Sequence, residues 1–156
     1  MPDSLQYEEE AIYYSSWQYG AIHVLLSIKQ FQTREAISKK LEIPLPRVDQ
    51  VLEFLVKTGL CRKERIRYLT VKPLLHLDKS SPLISKHHTN WRLRTMMAFD
   101  QNIEENLHYS SVFTVAKKDL PRVQEILAEA LAKALKVINP SPEEEVAAVC
   151  IDLFKI

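Results

Sequence analysis

Apolar residues recur at helical spacing through the first sixty positions of this 156-residue chain. The pattern predicts three consecutive helices, of which the first continues to about Lys29 and the second ends near Leu41. The predicted helix starts carry residues that commonly begin helices, namely Ser15, Ser16, Thr33 and Pro46. Gly59 stands where a left-handed residue commonly ends a helix. The first dozen residues, with Glu8, Glu9 and Glu10, are interpreted as a polar lead-in.

Residues 60–65 and 66–72 follow the third helix and are rich in β-branched and basic side chains. They are predicted to pair as two strands. Three helices and then a basic hairpin form the order of a winged helix-turn-helix, in which the second helix braces the third. Alternation along an extended strand would place Lys63, Arg65 and Arg67 on one face.

The second half predicts a long helix over residues 85–106, a strand over 109–116, a helix from Asp119 to about Ile138, and a strand over 146–154. We therefore expect an α+β chain. A winged helix-turn-helix would cover residues 12–75. Residues 83–156 would form a long linking helix and a strand–helix–strand lobe, continuous with the first part. The order of the last strands stays open, because they could pair with each other, with the hairpin or with a partner chain.

Charge and composition narrow the range of functions that the chain could have. Nine Lys and Arg against three Asp and Glu give residues 61–100 a charge of +6, whereas the whole chain carries +1. A local basic region favours an anionic partner, although charge that merely keeps a strand edge soluble is the rival interpretation. The chain has only two glycines, so it holds no glycine-rich loop of the type that binds phosphates or dinucleotides.

We expect no enzyme activity, cofactor or metal. Cys61 and Cys150 match no metal or redox spacing. The adjacent His87 and His88 would point in different directions on a helix and could not easily hold one ion. No secretory signal and no membrane-spanning stretch is recognised, so a cytoplasmic protein is expected.

Four segments resemble a family of uncharacterised bacterial proteins, expanded in predatory and fibrobacter-like lineages, whose conserved domain has no assigned function. These segments are residues 13–17 (YYSSW), 57–60 (KTGL), 111–120 (SVFTVAKKDL) and 151–154 (IDLF). The resemblance covers the chain from about Ile12 and implies a transcriptional regulator. In similar proteins this domain follows a small repressor-like helix-turn-helix domain, so we expect a truncated or short variant that lacks it.

The first hypothesis is a transcriptional regulator whose winged helix binds duplex DNA. Its candidate contact residues are Arg47, Gln50, Lys57, Arg62, Lys63, Arg65 and Arg67. Asp49 and Glu53, on or near the same face, would repel phosphate and favour the alternative, a module that contacts protein or forms a homodimer. Its candidate interface is the apolar group on the long helix, Trp91, Met96, Met97 and Phe99, for which core packing is the other interpretation. A small-ligand sensor is a third hypothesis, for which no spacing identifies a ligand.

Overall fold

A computed structural model describes residues 5–72 and 77–156 of the chain, and these residues form a mixed α+β structure. The described helices and strands, in chain order, are α1 (Tyr7–Tyr13), α2 (Trp17–Leu25), α3 (Arg34–Leu41), α4 (Leu45–Lys57), β1 (Cys61–Glu64), β2 (Arg67–Thr70), α5 (Ile84–Ala98) and α6 (Leu120–Ile138). A single 3₁₀ turn, Lys29–Phe31, lies between α2 and α3. None of the described helices is both long and apolar enough to cross a membrane.

The chain divides into two compact units. The first unit comprises the described residues up to Ala98 together with Glu143–Ala148, and the second comprises Phe99–Pro142 and Val149–Ile156. The first unit thus includes α5, whereas the predicted long helix was expected to belong to the C-terminal region. Residue 75, the predicted end of the first domain, lies outside the described residues.

Local capping signals mark where α2 and α3 begin and where α4 ends. The Ser16 hydroxyl accepts a hydrogen bond from the Gln18 N–H at 3.2 Å, and the Thr33 hydroxyl accepts one from the Ala36 N–H at 3.4 Å. After α4, Gly59 takes a left-handed conformation with φ of 74°, and the Leu60 N–H donates to the Leu55 carbonyl at 2.9 Å. This six-to-one hydrogen bond is that of a Schellman cap, so the predicted caps at Ser16, Thr33 and Gly59 are confirmed.

The core of the first unit is built by α2, α3, α4 and the start of β1. Its fully buried apolar side chains come from all three helices, among them Ile22, Leu25, Ile37, Val51 and Leu52. The returning segment Glu143–Ala148 contributes Val146, which packs against this core. Burial of each such side chain contributes about 1.5–3 kcal/mol before the entropy of ordering it is subtracted.

The aromatic–serine segment YYSSW joins α1, α2 and α5. The Tyr13 hydroxyl lies 3.0 Å from His23 Nδ1, and His23 Nε2 lies 2.9 Å from the Lys72 carbonyl oxygen. Nε2 must donate to that carbonyl, so Nδ1 accepts from Tyr13. Burial lowers the pKa of His23, which keeps the ring neutral as this network requires. The buried Asn90 side chain of α5 donates to the Tyr14 carbonyl oxygen at 2.7 Å.

Three expectations about the elements are wrong. The predicted lead-in contains α1, because Gln6 and Glu9 form a capping box at its start. The long helix ends at Ala98 rather than near residue 106. Asp100 and Asn102, which follow Ala98 closely, favour turns over helix. Residues 109–116 and 146–154 form no β-strand, so the predicted strand–helix–strand lobe retains only its helix. β-Branched and aromatic residues favour extended backbone, but a strand also needs a neighbouring strand to pair with.

The second unit contains α6 and the segments on either side of it. None of its residues, all of which the structure describes, is buried. Large apolar side chains are exposed throughout it, including Leu107 (92%), Val112 (84%) and Phe154 (76%). The second unit therefore has no hydrophobic core of its own.

Candidate nucleic-acid interface

A three-residue turn, Glu42–Pro44, connects α3 to α4. Glu42 has φ of 54° and ψ of 42°, the left-handed conformation that such helix–helix turns commonly give to glycine. The Ser38 hydroxyl donates to the Ile43 carbonyl oxygen at 2.6 Å, and the Ile43 N–H donates to the Ser38 carbonyl oxygen at 3.2 Å. These bonds hold the turn between the helices, with Ile37 of α3 and Val48 of α4 both fully buried.

The carboxylate of Asp49, near the start of α4, is held by Arg34 at the start of α3. Arg34 Nε donates to Oδ1 at 2.6 Å and Nη2 donates to Oδ2 at 2.5 Å, a bidentate pair. The hydrogen bonds from Arg34, together with the charges of Arg34 and Lys63, hold the pKa of the Asp49 carboxyl below its usual value. The negative charge that we expected to repel phosphate is therefore paired.

Arg47 and Gln50, two of the predicted base-contacting residues, are bonded to each other. Arg47 Nε donates to Gln18 Oε1 at 2.6 Å and Nη1 donates to Gln50 Oε1 at 2.8 Å. The guanidinium carbon also lies 5.1 Å from the centre of the Tyr19 ring. These contacts hold Arg47 against α2, so contact with a base would require breaking them.

Glu53 and Lys57 lie one turn apart on the outer surface of α4, and both are exposed. Among the described residues Glu53 has no ion-pair partner. Glu53 is thus the acidic group on this face whose charge remains uncompensated.

The hairpin corrects one prediction about its charges. β1 and β2 are antiparallel, with Lys63 opposite Tyr68 and Glu64 opposite Arg67. Paired residues share a face, so Lys63 and Arg67 lie on opposite faces. Arg65 belongs to neither strand: it lies in the two-residue turn with φ of 55°. The prediction of a single basic face failed because strand alternation does not continue through a turn.

The hairpin is fastened to the helices through Gln32. The Tyr68 N–H donates to the Gln32 carbonyl oxygen at 2.8 Å, and the Gln32 side chain donates to the Leu26 carbonyl oxygen at 3.1 Å. Arg67 Nη1 lies 3.4 Å from Gln32 Oε1. The hairpin therefore has a fixed position beside the helices of the first unit.

The remaining basic groups of the hairpin are exposed. Lys63 Nζ lies 5.4 Å from the centre of the Tyr68 ring, and its positive charge helps to lower the pKa of Asp49. Arg62 forms an ion pair with Glu64 at 2.8 Å. Arg65 is exposed beside Ile66, which is 74% exposed.

The apolar group predicted as a dimer interface is divided between two environments. Trp91 is half-buried, and a Cβ on Gly20 would lie 3.4 Å from its ring, so this tryptophan packs closely against α2. Met96 (61%) and Met97 (57%) are exposed on α5. In the second unit, Phe99 is 56% exposed and its ring lies edge-on to His108.

A buried thiol and the spacing of possible metal ligands limit the reactive chemistry of the described residues. Burial raises the pKa of the Cys61 thiol to about 11, so it stays protonated near neutral pH and is a poor nucleophile. Within residues 5–72 and 77–156, no three His, Cys, Asp or Glu side chains are grouped closely enough to hold a metal ion.

Sequence reasoning missed three residues that shape the interface: Arg34, Gln18 and Gln32. Each bonds to a residue far away in sequence, as Arg34 does to Asp49 fifteen positions later. The only available signal was that Arg34 follows the Thr33 cap and thus lies in the first turn of α3.

Comparison with known proteins gives one match. Residues 3–156 match a family described as "Domain of unknown function (DUF4423)". No curated protein and no solved structure matches the chain.

Proposed function

The chain belongs to the DUF4423 family, a domain of unknown function, and we propose that its first unit is a winged helix-turn-helix that binds duplex DNA as part of a transcriptional regulator. In this proposal α4 faces the groove and the β1–β2 hairpin contacts the phosphate backbone. The chain contributes binding and no catalysis.

The observation that supports the proposal most is the bidentate pair between Arg34 and Asp49. Without it, α4 would present two carboxylates, Asp49 and Glu53, to the phosphates. With Asp49 paired to Arg34, the carboxylate of α4 that stays without an ion-pair partner is Glu53, and Lys57, Lys63 and Arg65 offer positive charge on α4 and the hairpin. Basic side chains that replace condensed counterions supply most of the affinity for duplex DNA.

Phosphate contact is favoured over recognition of bases. Arg47 and Gln50 are bonded within the first unit, whereas Lys57, Lys63 and Arg65 have ends that can reach an anion. We therefore expect binding with weak sequence preference and a steep dependence on salt.

The test is fluorescence anisotropy of the full chain on a random-sequence duplex between low and physiological salt. Lys63→Ala and Arg65→Ala should each weaken binding about three- to tenfold and lower the salt slope by about one. Lys86→Ala removes the same charge from α5, outside the interface, and should change affinity less than twofold. Glu53→Gln removes the uncompensated carboxylate and should tighten binding about threefold.

The role of Arg34 has its own test. Arg34→Ala should weaken DNA binding because it leaves Asp49 unpaired, and adding Asp49→Ala should recover part of that loss. A direct phosphate contact by Arg34 would give no recovery. Absence of binding at low salt, or equal binding by Lys63→Ala, Arg65→Ala and the unaltered chain, would overturn the proposal.

A second candidate function is recognition of a protein by the same face. It is favoured by two exposed apolar side chains of the first unit, Val56 (38%) one turn after Glu53 on α4 and Ile66 (74%) in the hairpin turn. This surface would then bind a basic or apolar segment of a partner, and Glu53→Gln would weaken that binding rather than tighten it.

A further inference from the structure

The outer face of α4 carries one amide side chain, that of Gln50. Four exposed residues of the helix share this face, because they follow one another at intervals of three or four positions. They are Pro46, Gln50, Glu53 and Lys57. The charges of Glu53 and Lys57 act on any phosphate alike. An amide, with an acceptor and two donors in one plane, can instead distinguish one base from another.

The amide oxygen of Gln50 is held by Arg47. Arg47 Nη1 donates to Gln50 Oε1 at 2.8 Å, and because a guanidinium only donates, the oxygen and not the nitrogen of the amide must face it. Among the described residues Gln50 Nε2 has no hydrogen-bond partner, so its two N–H groups are available at the exposed end of the side chain. Oε1 keeps a second lone pair, but a donor approaching it would also approach the positive charge of Arg47. Gln50 is therefore presented as a donor.

Arg47 is itself fixed by α2. Its Nε donates to Gln18 Oε1 at 2.6 Å, and its guanidinium carbon lies 5.1 Å from the centre of the Tyr19 ring. The Tyr19 ring is buried and lies edge-on to Phe54 of α4. These contacts join the start of α2 to the start of α4, so the orientation of the Gln50 amide is set by the packing of the two helices.

We propose that Gln50 contacts a base in the major groove through Nε2 and prefers guanine, with Arg47 and Gln18 as positioning residues; this inference rests on the proposed function. A glutamine with a free amide pairs with adenine, accepting from N6 and donating to N7. Guanine offers two acceptors, O6 and N7, and so matches an amide that donates beside a positive charge. The weak sequence preference of this surface then arises mainly at one base pair.

Competition by three unlabelled duplexes tests the preference on the full chain. The duplexes have equal length and the same order of purines and pyrimidines, and their purines are all guanine, all inosine or all adenine. Inosine presents the same O6 and N7 in the major groove as guanine but lacks the amino group of guanine in the minor groove. Displacement of a labelled random-sequence duplex, measured by anisotropy, should be equal for guanine and inosine. The adenine duplex should bind about fivefold more weakly.

Two glutamine variants locate the contact. Gln50→Ala should bind the three duplexes equally, because the amide that distinguishes them is gone. Gln124→Ala makes the same change at an exposed glutamine of α6 and should keep the full preference. Circular dichroism of each variant checks that the helices are retained.

Arg47→Ala and Gln18→Ala test the positioning. Arg47→Ala frees Gln50 Oε1, so the preference should shift from the guanine and inosine duplexes to the adenine duplex. A purely structural role for Arg47 would weaken binding to all three duplexes without that shift. Gln18→Ala removes the acceptor that holds Arg47 Nε but keeps the charge of Arg47, and it should reduce the preference for guanine without reversing it.

The outcomes that overturn the inference differ from those that overturn DNA binding. A chain that binds no duplex at low salt overturns the proposed function together with this inference. A chain that binds all three duplexes equally overturns the inference alone. Preference for guanine over both inosine and adenine would place the contact in the minor groove. A preference that survives Gln50→Ala and is lost in Arg47→Ala would show that Arg47 contacts the base, and either result overturns the assignment to Gln50.

Discussion

The two units of this chain both contain a helix with a clear apolar side, α4 and α6, but these helices differ in what their apolar residues contact. In the first unit, Leu52 and Leu55 of α4 are fully buried between neighbouring helices. In the second unit, α6 has an equally clear apolar side and not one buried residue. Amphipathic patterning therefore shows that a helix has a side to bury, but the surface that buries it must be found separately.

The same difference predicts which residues contribute to the free energy of unfolding. Side chains of the first unit contribute to folding through contacts inside the chain, whereas those of the second unit contribute only if something covers them. Variants matched across the two units test this division. Both tryptophans, Trp17 and Trp91, belong to the first unit, so their fluorescence follows its unfolding.

The largest difference is expected between two leucines. Leu52→Ala, which removes a fully buried side chain, should lower the free energy of unfolding by about 3 kcal/mol. Leu107→Ala removes a side chain that is 92% exposed and should change it by less than about 0.5 kcal/mol. Urea unfolding followed by tryptophan fluorescence and by circular dichroism measures both. Equal losses in the two variants would show that Leu107 is buried in solution and would refute the division.

A smaller difference is expected between two tyrosines. Tyr13→Phe leaves the buried His23 Nδ1 without its donor and should cost about 2 kcal/mol. Tyr109→Phe removes a hydroxyl from a ring that is 87% exposed and should cost less than about 0.5 kcal/mol. The same unfolding curves measure both variants. A Tyr13→Phe chain as stable as the original would mean that His23 finds another partner.

Local signals made much of the first unit predictable. The caps at Ser16 and Thr33 and the left-handed Gly59 depend on residues within one helical turn, and all three form as expected. The left-handed Glu42 gave no such signal, because glutamate rarely adopts that conformation and only the packing of α3 against α4 requires it.

The candidate interface and the second unit depend on contacts that sequence spacing does not encode. The pairing of Arg34 with Asp49 crosses from one helix to another, and the turn at Arg65 changes which hairpin residues share a face. Residues 109–116 are rich in the β-branched and aromatic side chains typical of strands, yet a strand also needs a partner segment. The sequence shows which residues of these regions are polar and which are apolar, but it does not show which segments lie against them.

The smallest expected effect concerns the left-handed residue between α3 and α4. A side chain at φ of 54° is strained by about 1 kcal/mol, and glycine removes that strain at the cost of a more flexible unfolded chain. Glu42→Gly should therefore raise the free energy of unfolding by about 0.5 kcal/mol. The control is Asn139→Gly at the end of α6, where φ of −59° and ψ of −41° are right-handed, so glycine has no strain to relieve and should slightly weaken the helix. Thermal unfolding compares the two. If Glu42→Gly instead destabilised the chain, the Glu42 side chain would be making a contact whose loss outweighs the relief of backbone strain.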